Sequence, residues 1–194
     1  MSIRFATRQD IPAILSIYGP YVENTAISFE YSVPTLEEFT QRFCKYTKQF
    51  PWLVWEEKGS ILGYAYGSAP FERAAYGWCA EASIYLAPQA HRKGIGTKLY
   101  KALEHLLTLQ GYRKLYALVT TANPPSVQFH LAMGYRYLTE FKNCGYKFGN
   151  WHGVTWLEKD LFPTNSAMNP PFSIGDIVKN PKNLQDILDS LSLS

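Results

Sequence analysis

A short turn near the middle of the chain could hold an anion. Its residues are His91, Arg92, Lys93, Gly94 and Gly96, and an amphipathic pattern starts directly after them. A strand leading into a helix at this point would direct free backbone N–H groups and the positive end of the helix dipole to one place. Glycines there allow close backbone approach and positive φ. The turn fits an anionic ligand, and it also fits a helix start with solvated basic side chains.

Two common nucleotide-binding patterns do not match this turn. A dinucleotide fingerprint requires a glycine at position 99, where the chain has leucine, and no Gly-Lys-Ser or Gly-Lys-Thr closes a P-loop. The residues therefore indicate, at most, an anion site of a different kind.

Glu81 is the second candidate for chemistry. It lies within "WCAEASIYL", an otherwise apolar run that predicts a strand. Burial raises the pKa of a carboxyl group, which would bring Glu81 into the range of a general base that works near neutral pH. A position on a solvated strand face is the alternative for the same residue.

The elements that must position these residues follow from hydrophobic periodicity. Residues 3–8 predict a strand, and the next segment predicts a helix with Asp10 at its N-cap. Thr35 and Glu38 form a capping-box pattern that predicts the start of a second helix. "WLVWEE" and "ILGYAYGS", separated by residues 58–60, predict an antiparallel hairpin.

The second half of the chain predicts alternating strands and helices. "WCAEASIYL" precedes a helical stripe that stops near Gly111, and "KLYALV", "PSVQFHLAMG", "GYRYLTEFK" and "VTWLEKDL" predict a strand, a short helix and two closing strands. This order predicts an α/β fold with a mixed, mostly antiparallel central sheet flanked by helices. A strand–helix–strand crossover would lie in the middle of it.

Composition argues against several classes of protein. The 194 residues are 46% hydrophobic and 18% charged, which predicts one soluble globular domain. The net charge of +3 comes from scattered basic residues, so we expect no nucleic-acid partner. No window approaches the ~20 apolar residues of a membrane span, and "MSIRFATRQD" has no apolar signal region, so we expect no membrane association.

The cysteines predict a reducing compartment. Cys44, Cys79 and Cys144 stand far apart, without a C-x-x-C pair or a histidine at metal-ligand spacing. We therefore expect free thiols in the cytoplasm, with neither a disulfide framework nor a metal site.

The pattern changes after Leu161. Residues 162–181 are rich in proline, asparagine and serine, and "NLQDILDSLSLS" could form one short amphipathic helix through Leu184, Ile187, Leu188 and Leu191. A tail that is packed on the surface or partly disordered is one interpretation, and a docking or dimer element is the other.

Several motifs, in chain order, resemble one enzyme family. "HRKGIG" after "ASIYLAP" resembles the acetyl-CoA signature Q/R-x-x-G-x-G/A of the GCN5-related N-acetyltransferase (GNAT) superfamily. Segments between about residues 3 and 161 are similar to its phosphinothricin and methionine sulfoximine acetyltransferase branch: "ATRQDIPAILSIYGPYV", "TAISFE", "PWLVWEEKGSILGYAY", "ERAAYGWCAEASIYL", "GIGTKLYKAL", "NPPSVQFHLAMGY" and "GYKFGNWHGVTW". The resemblance implies a GNAT domain over 1–161, with a splayed parallel strand pair that holds acetyl-CoA, a 162–194 tail outside it, and a homodimer.

The resemblance also implies roles for individual residues. Glu81 would be the general base, and His130 would protonate the CoA thiolate or hydrogen-bond its sulfur, with a packing role as its alternative. Arg73 would grip an anionic group of the acceptor, with a surface salt bridge as its alternative, and Phe29 and Glu30 would lie near the same pocket. The residues assigned to acetyl-CoA are Ile84, Leu86, His91, Arg92, Lys93, Gly94, Ile95, Gly96, Thr97, Asn123 and Ser126.

Two positions depart from the branch, and three functions stay open. His91 replaces the usual glutamine or arginine, and Gly77 stands where aspartate often precedes the tryptophan. The first function is acetylation of a small amino acid or analogue by direct transfer, since no cysteine has a nucleophile's setting. Acetylation of another amine, such as a peptide N-terminus or an antibiotic, is the second. A protein without catalysis, either a CoA sensor or an interaction protein acting through its tail, is the third.

Overall fold

The computed structural model describes residues 2–162, 169–179 and Leu188. Seven strands form one sheet: β1 (Ser2–Phe5), β2 (Trp52–Glu57), β3 (Ser60–Ser68), β4 (Cys79–Leu86), β5 (Lys114–Thr120), β6 (Arg136–Lys147) and β7 (Asn150–Asp160). The helices are α1 (Ile11–Asn24), α2 (Leu36–Tyr46), α3 (Ile95–Gln110), α4 (Pro124–Ala132) and α5 (Ile174–Ile177).

The sheet is mixed. Its strand order is β1-β2-β3-β4-β5-β7-β6, and β4 with β5 is the one parallel pair among its neighbours, which are otherwise antiparallel. The predicted α/β fold with a mostly antiparallel sheet is therefore confirmed. The crossover that joins the parallel pair runs through α3, as a parallel connection requires.

Helices cover the two faces of the sheet unequally. On one face α1 and α2 bury aromatic side chains of β2 and β3 such as Trp52 and Tyr64. On the other face α3 packs Leu99, Leu103 and Leu106 against the sheet, and all three side chains are fully buried. Because α1 and α2 cover only the half of the sheet near β2 and β3, the side chains of β4, β5 and β7 on their face are left partly open.

Local signals set most element boundaries. Thr35 Oγ1 accepts the N–H of Glu38 while the Glu38 carboxylate accepts the N–H of Thr35, which is the predicted capping box of α2. Asp10 precedes α1 as predicted, but its carboxylate does not cap that helix. It accepts the N–H of Thr7 at 2.7 Å and pairs with Arg4, because a 3₁₀ turn starts one residue after Thr7.

The two closing strands are longer than their hydrophobic patterns indicate. β6 and β7 are joined at Phe148 and Gly149, both with positive φ, and the hairpin carries a register shift between Phe141 and Gly145. The predicted tail helix lies outside the described residues apart from Leu188, which is fully buried in the core on the α3 side. Among the described residues, no helix combines the length and apolar composition needed to cross a bilayer.

Candidate active site

The parallel pair opens after three residues of pairing. The register partners are Cys79 with Lys114, Ala80 with Leu115 and Glu81 with Tyr116, and the described residues show no pairing of β4 with β5 beyond them. A cavity of about 520 Å³ lies at this opening. It shares Ile84, Asn123 and Ser126 with a smaller cavity of about 60 Å³ next to His130. The sheet therefore has a cleft at its centre.

β4 presents backbone groups to this cleft. Ala87 donates its N–H to the Leu62 carbonyl at 2.9 Å, so every second residue of β4, counted back from Ala87, is hydrogen-bonded to β3. The residues between them are Ala82, Ile84 and Leu86, and their N–H and C=O groups point away from β3 and toward the opening. An extended ligand with amide groups can bind such an edge as an added strand does.

The glycine turn closes one end of the cleft. Arg92 and Gly94 have φ values of 59° and 76°, and α3 starts directly after them at Ile95. A turn of this kind followed by a helix N-terminus forms a concave group of N–H donors that suits an anion. A Cβ at Gly96 would lie 3.3 Å from Leu86 Cδ1, so this glycine lets the first turn of α3 approach β4 closely.

Most residues that the sequence assigned to acetyl-CoA line these two cavities. They are Ile84, Leu86, His91, Arg92, Gly94, Gly96, Thr97, Asn123 and Ser126. Lys93 and Ile95 are not among the lining residues. Lys93 is exposed on the turn before α3, whereas the side chain of Ile95, the first residue of α3, is buried in the core.

His91 lies against the end of β4. Its Nε2 atom is 3.3 Å from the Leu86 carbonyl oxygen and 3.2 Å from the Tyr21 hydroxyl, which itself donates to that carbonyl at 2.6 Å. The imidazole thus braces the strand end at the rim of the cleft. The backbone donors of the turn remain available for an anion. Tyr21 was not singled out in the sequence, since it looks like one more residue of an amphipathic helix.

His130 is buried beside the cleft on α4. Asn123 caps this helix, with its Oδ1 accepting the N–H of Ser126 at 3.3 Å. His130 Nδ1 lies 2.7 Å from the Ser126 carbonyl oxygen, so Nδ1 carries the proton and donates it, and Nε2 is left as an acceptor. Nε2 has no hydrogen-bond partner among the described residues. A buried polar atom without a partner commonly marks a site that a ligand or water completes.

Burial also decides the charge of His130. Its side chain is 3% exposed, and desolvation lowers the pKa of the imidazole from its usual value, while the bond to Ser126 opposes this only partly. A neutral imidazole at physiological pH can accept a hydrogen bond through Nε2. It is poorly suited to arrive as a charged acid, and as an acceptor Nε2 can bond the S–H of product CoA but not the thioester sulfur, which has no proton to donate.

Replacement of His130 by phenylalanine should lower kcat by about tenfold. The factor should be the same from pH 6 to pH 9, because the side chain that is removed is a neutral hydrogen-bond acceptor and not a group whose ionisation controls the rate. Steady-state rates at several pH values measure this. A loss of rate confined to low pH would show instead that a charged imidazolium acts as the acid. The unfolding midpoint of the variant controls for a packing defect.

Glu81 faces the opposite side of the sheet from α3. Its register partners are Ser68 and Tyr116, which share its face, and no ion pair or hydrogen bond from the described residues reaches its carboxylate. Burial without such a partner raises the pKa of Glu81 to about 7. The carboxylate is therefore poised to accept a proton near neutral pH, next to the point where β4 and β5 separate.

The residues expected around the acceptor are spread over three segments. The Phe29 ring lies directly over Gly145, where an added Cβ would overlap the ring. The Glu30 carboxylate is bound by Arg42 Nη2 at 2.6 Å, so it is paired within the α1–α2 region rather than free. Arg73 is exposed and precedes a 3₁₀ turn that leads into β4.

An aromatic cluster beside Glu81 was missed in the sequence. The Phe71 ring stacks on Trp156 with centroids 5.9 Å apart, and Tyr116 meets both rings edge-on at 5.9 Å. Phe141 lies 5.6 Å from Trp156. The sheet register puts Tyr116 and Trp156 on the face of Glu81. The sequence shows only alternating aromatic residues in strands, and strand order is needed to bring them together.

Other site chemistry is limited within the described part of the chain. That part contains no group of three or more His, Cys, Asp or Glu side chains that could hold a metal ion. Burial raises the pKa of the Cys79 thiol, which makes it a poor nucleophile. A Cβ at Gly77 would lie 3.0 Å from the Ala74 carbonyl, so this turn is shaped for the glycine that departs from the branch pattern.

Comparisons with known proteins show the family to which this fold belongs. Residues 3–156 match the model of the acetyltransferase (GNAT) domain family. The chain is 32% identical over 161 residues to a phosphinothricin N-acetyltransferase of Streptomyces viridochromogenes, covering 83% of this chain and 88% of that protein. It is 33% identical over 170 residues to an L-methionine sulfoximine/L-methionine sulfone acetyltransferase of Pseudomonas paraeruginosa, covering 86% and 98%.

A solved structure shows the same fold with a ligand. The GNAT superfamily phosphinothricin acetyltransferase of Sinorhizobium meliloti, crystallised with AcCoA, superposes with a TM-score of 0.83 at 33% identity and covers 87% of this chain and 92% of its own.

Proposed function

Since the chain belongs to the GNAT acetyltransferases, we propose that it transfers the acetyl group of acetyl-CoA to the amine of a small amino acid or analogue of the phosphinothricin or methionine sulfoximine type. One observation carries this proposal. Glu81, with a pKa of about 7, lies where β4 and β5 separate, and the cleft lies at the same opening.

The cleft suits acetyl-CoA, which supplies an activated acetyl group as a thioester. The N–H and C=O groups of Ile84 and the N–H of Leu86, which point away from β3, would bind the amide-containing arm, since the Leu86 carbonyl already accepts the Tyr21 hydroxyl. The backbone donors from Arg92 to Gly96 would hold the pyrophosphate, with Asn123 and Ser126 on the opposite wall. A backbone N–H of β4 would stabilise the charge that develops on the acetyl oxygen.

Glu81 would supply the base that the reaction needs. An α-amine has a pKa near 8 and arrives mostly as ammonium at neutral pH, so a proton must leave before nitrogen can attack. Nitrogen then bonds to the acetyl carbon, the carbon–sulfur bond breaks, and the second proton that nitrogen loses on forming the amide passes to the sulfur, so that CoA leaves as its thiol. The raised pKa of Cys79 supports direct transfer without an acetyl-cysteine.

The acceptor would lie on the Glu81 face between the Phe29 segment and residues 69–78. Arg73 would bind its anionic group, and the aromatic cluster would contact its carbon chain. Glu30 would act through Arg42, to which it is bonded, by holding the Phe29 segment in place. This is a narrower role than direct contact with the acceptor.

Replacement of Arg73 by alanine should raise KM for phosphinothricin or methionine sulfoximine by about tenfold, because an exposed guanidinium that grips an anion is worth about 1.4 kcal/mol. KM for a neutral amine should change little. Initial rates with both acceptor types measure this, and lysine at position 73 should rescue only part of the loss. Equal effects on both acceptors would contradict an anion-binding role.

Thiol release from acetyl-CoA tests the function as a whole. A panel would contain phosphinothricin, methionine sulfoximine, several amino acids, a peptide with a free N-terminus and an aminoglycoside. We expect turnover with the amino-acid analogues. Turnover only with the peptide or the antibiotic would assign another amine, and acetyl-CoA binding without any turnover would indicate a sensor.

We also propose a cytoplasmic homodimer. The edge strand β6 and its hairpin expose a row of large side chains that a second copy could cover: Tyr137, Leu138, Tyr146, Phe148 and Trp151. Sedimentation velocity measures the assembly, and a species of 22.1 kDa at working concentration would contradict the dimer. The cytoplasmic location rests on the three free cysteines.

A further inference from the structure

The C-terminal segment 169–179 is bonded to the domain although it lies beyond the region that matches the family model, residues 3–156. We call this segment the strap. Phe172 donates its N–H to the Gln110 carbonyl at 2.8 Å, and Ile174 donates its N–H to the Gln49 carbonyl at 3.0 Å. The strap thus joins the end of α3 to the chain just before β2.

Two glutamine side chains fix the middle of the strap. Gln110 is fully buried, and its Nε2 donates to the carbonyls of Gln49 at 2.6 Å and Phe172 at 2.8 Å. Gln49 Nε2 donates to the same Phe172 carbonyl at 3.1 Å and to the Tyr112 hydroxyl at 3.0 Å. The buried Gln110 amide holds its partners in one arrangement, because each broken bond leaves a desolvated polar group, and the half-buried Gln49 adds a second bond to the same carbonyl.

Apolar contacts anchor the other end. Ile174 is 7% exposed, and Ile177 and Val178 pack against the core on the α3 side. Ser173 caps α5 by accepting the N–H of Asp176 at 3.2 Å. The strap therefore has fixed backbone positions along its length.

The first residue of the strap binds the acceptor side of the site. Trp78 donates its indole Nε1–H to the Asn169 carbonyl at 3.0 Å. The Trp78 carbonyl accepts the N–H groups of Arg113 at 2.8 Å and Lys114 at 3.3 Å. Trp78 is thus a junction between the strap, the start of β5 and residues 69–78, which we call the acceptor loop.

The acceptor loop has few other anchors. Its residues 72–77 are exposed, and the backbone hydrogen bonds of the 3₁₀ turn at residues 74–76 lie within the turn itself. At its start, Phe71 contacts Trp156 and Tyr116 through its ring. Its other end is held by Trp78. The position of Arg73 between these two ends therefore depends on both.

We propose that the strap sets the position of the acceptor loop through the bond from Trp78 to Asn169, which makes Trp78 a positioning residue for acceptor binding. This inference rests on the proposed function in one respect, that the acceptor loop binds the amine substrate. The bond does not reach the acetyl-CoA cleft, so its loss should leave binding of that cosubstrate unchanged.

Two variants of the full-length protein test the inference. Trp78→Phe removes the donor and keeps most of the ring, and Gln49→Ala loosens the strap away from the loop. Both should speed amide hydrogen exchange in residues 71–77 and raise KM for the acceptor about three- to tenfold, with kcat and KM for acetyl-CoA changed less than about twofold.

Trp55→Phe is the matched control, because the buried indole N–H of Trp55 has no hydrogen-bond partner among the described residues. It should lower stability without changing exchange in the loop or KM for the acceptor. Unchanged exchange in the loop of Trp78→Phe would overturn the inference, and so would faster exchange with an unchanged acceptor KM. Absence of turnover by the wild type with every amine would overturn the proposed function instead, while hydrogen exchange would still decide whether the strap holds the loop.

Discussion

Replacement of Glu81 by glutamine should lower kcat at pH 7 by about 10²- to 10⁴-fold, the usual contribution of a positioned general base. Glutamine keeps the shape of the side chain and cannot take a proton from the ammonium group. Steady-state thiol release measures the loss, and binding of acetyl-CoA by calorimetry serves as the control, since Glu81 faces away from α3 and its turn. Near-normal activity of the variant at pH 7 would remove Glu81 from the mechanism.

The pH dependence gives an independent readout of the same residue. Glu81 works as a base only when it is ionised, and burial raises its pKa to about 7. The kcat/KM of the wild type should therefore be low at acidic pH and rise through about pH 7, and the titration of the acceptor amine near pH 8 should add to this profile. The glutamine variant should lose this limb and keep only the rise that the acceptor amine imposes near its own pKa of about 8.

Stability should respond in the opposite direction to activity. A raised pKa in the folded state means that the folded protein binds more protons than the unfolded chain between the two pKa values, about 4.5 and 7. The contribution of Glu81 to stability is therefore present at low pH and is lost as the pH rises through about 7. Glu81→Gln should raise the unfolding midpoint relative to the wild type at pH 8 but much less at pH 5.

Replacement of Gly94 by valine should weaken acetyl-CoA binding by at least about tenfold. Gly94 has a φ of 76°, and a β-branched residue in that region is strained by about 1–2 kcal/mol. The turn would relieve this strain by rotating, and the N–H groups from Arg92 to Gly96 would no longer converge on one anion. Calorimetric titration with acetyl-CoA or CoA measures the change.

The hairpin between β2 and β3 offers a matched control. Gly59 has a φ of 77°, and a Cβ at either Gly59 or Gly94 would have open space around it. Gly59→Val should therefore cost similar stability while leaving the affinity for acetyl-CoA unchanged. Equal affinity losses in the two variants would mean that the turn at Gly94 acts through stability alone.

Local sequence signals predicted most of the secondary structure. The capping box at Thr35 and Glu38, the turn at Lys58 and Gly59 and the stop of α3 at Gly111 each depend on residues within a few positions. The same holds for the glycine turn, whose role as the start of a helix follows from short-range geometry. The family was then identified from several segments that resemble its motifs and follow one another in the same order along the chain.

The positions of the closing elements were harder to predict. β6 and β7 extend well beyond their apolar patterns, because pairing with each other, rather than alternation of polar and apolar residues, defines their length. The side chain of Asp10 is drawn to Arg4 and Thr7 instead of capping α1. Contacts outside a helix or strand decided these details, and they leave no local pattern.

The sequence by itself determined where the chemistry-bearing residues stand along the chain: Glu81 in an apolar strand, glycines ahead of α3, and His130 on a short helix. Only the tertiary structure decided what surrounds each of them. The separation of β4 from β5 created the cleft, and strand order placed Trp156 and Tyr116 beside Glu81. Burial raised the pKa of Glu81 and lowered the pKa of His130, because desolvation disfavours the charged form of each group. Desolvation and register depend on segments far apart in the chain, whereas capping and turn formation depend on neighbours.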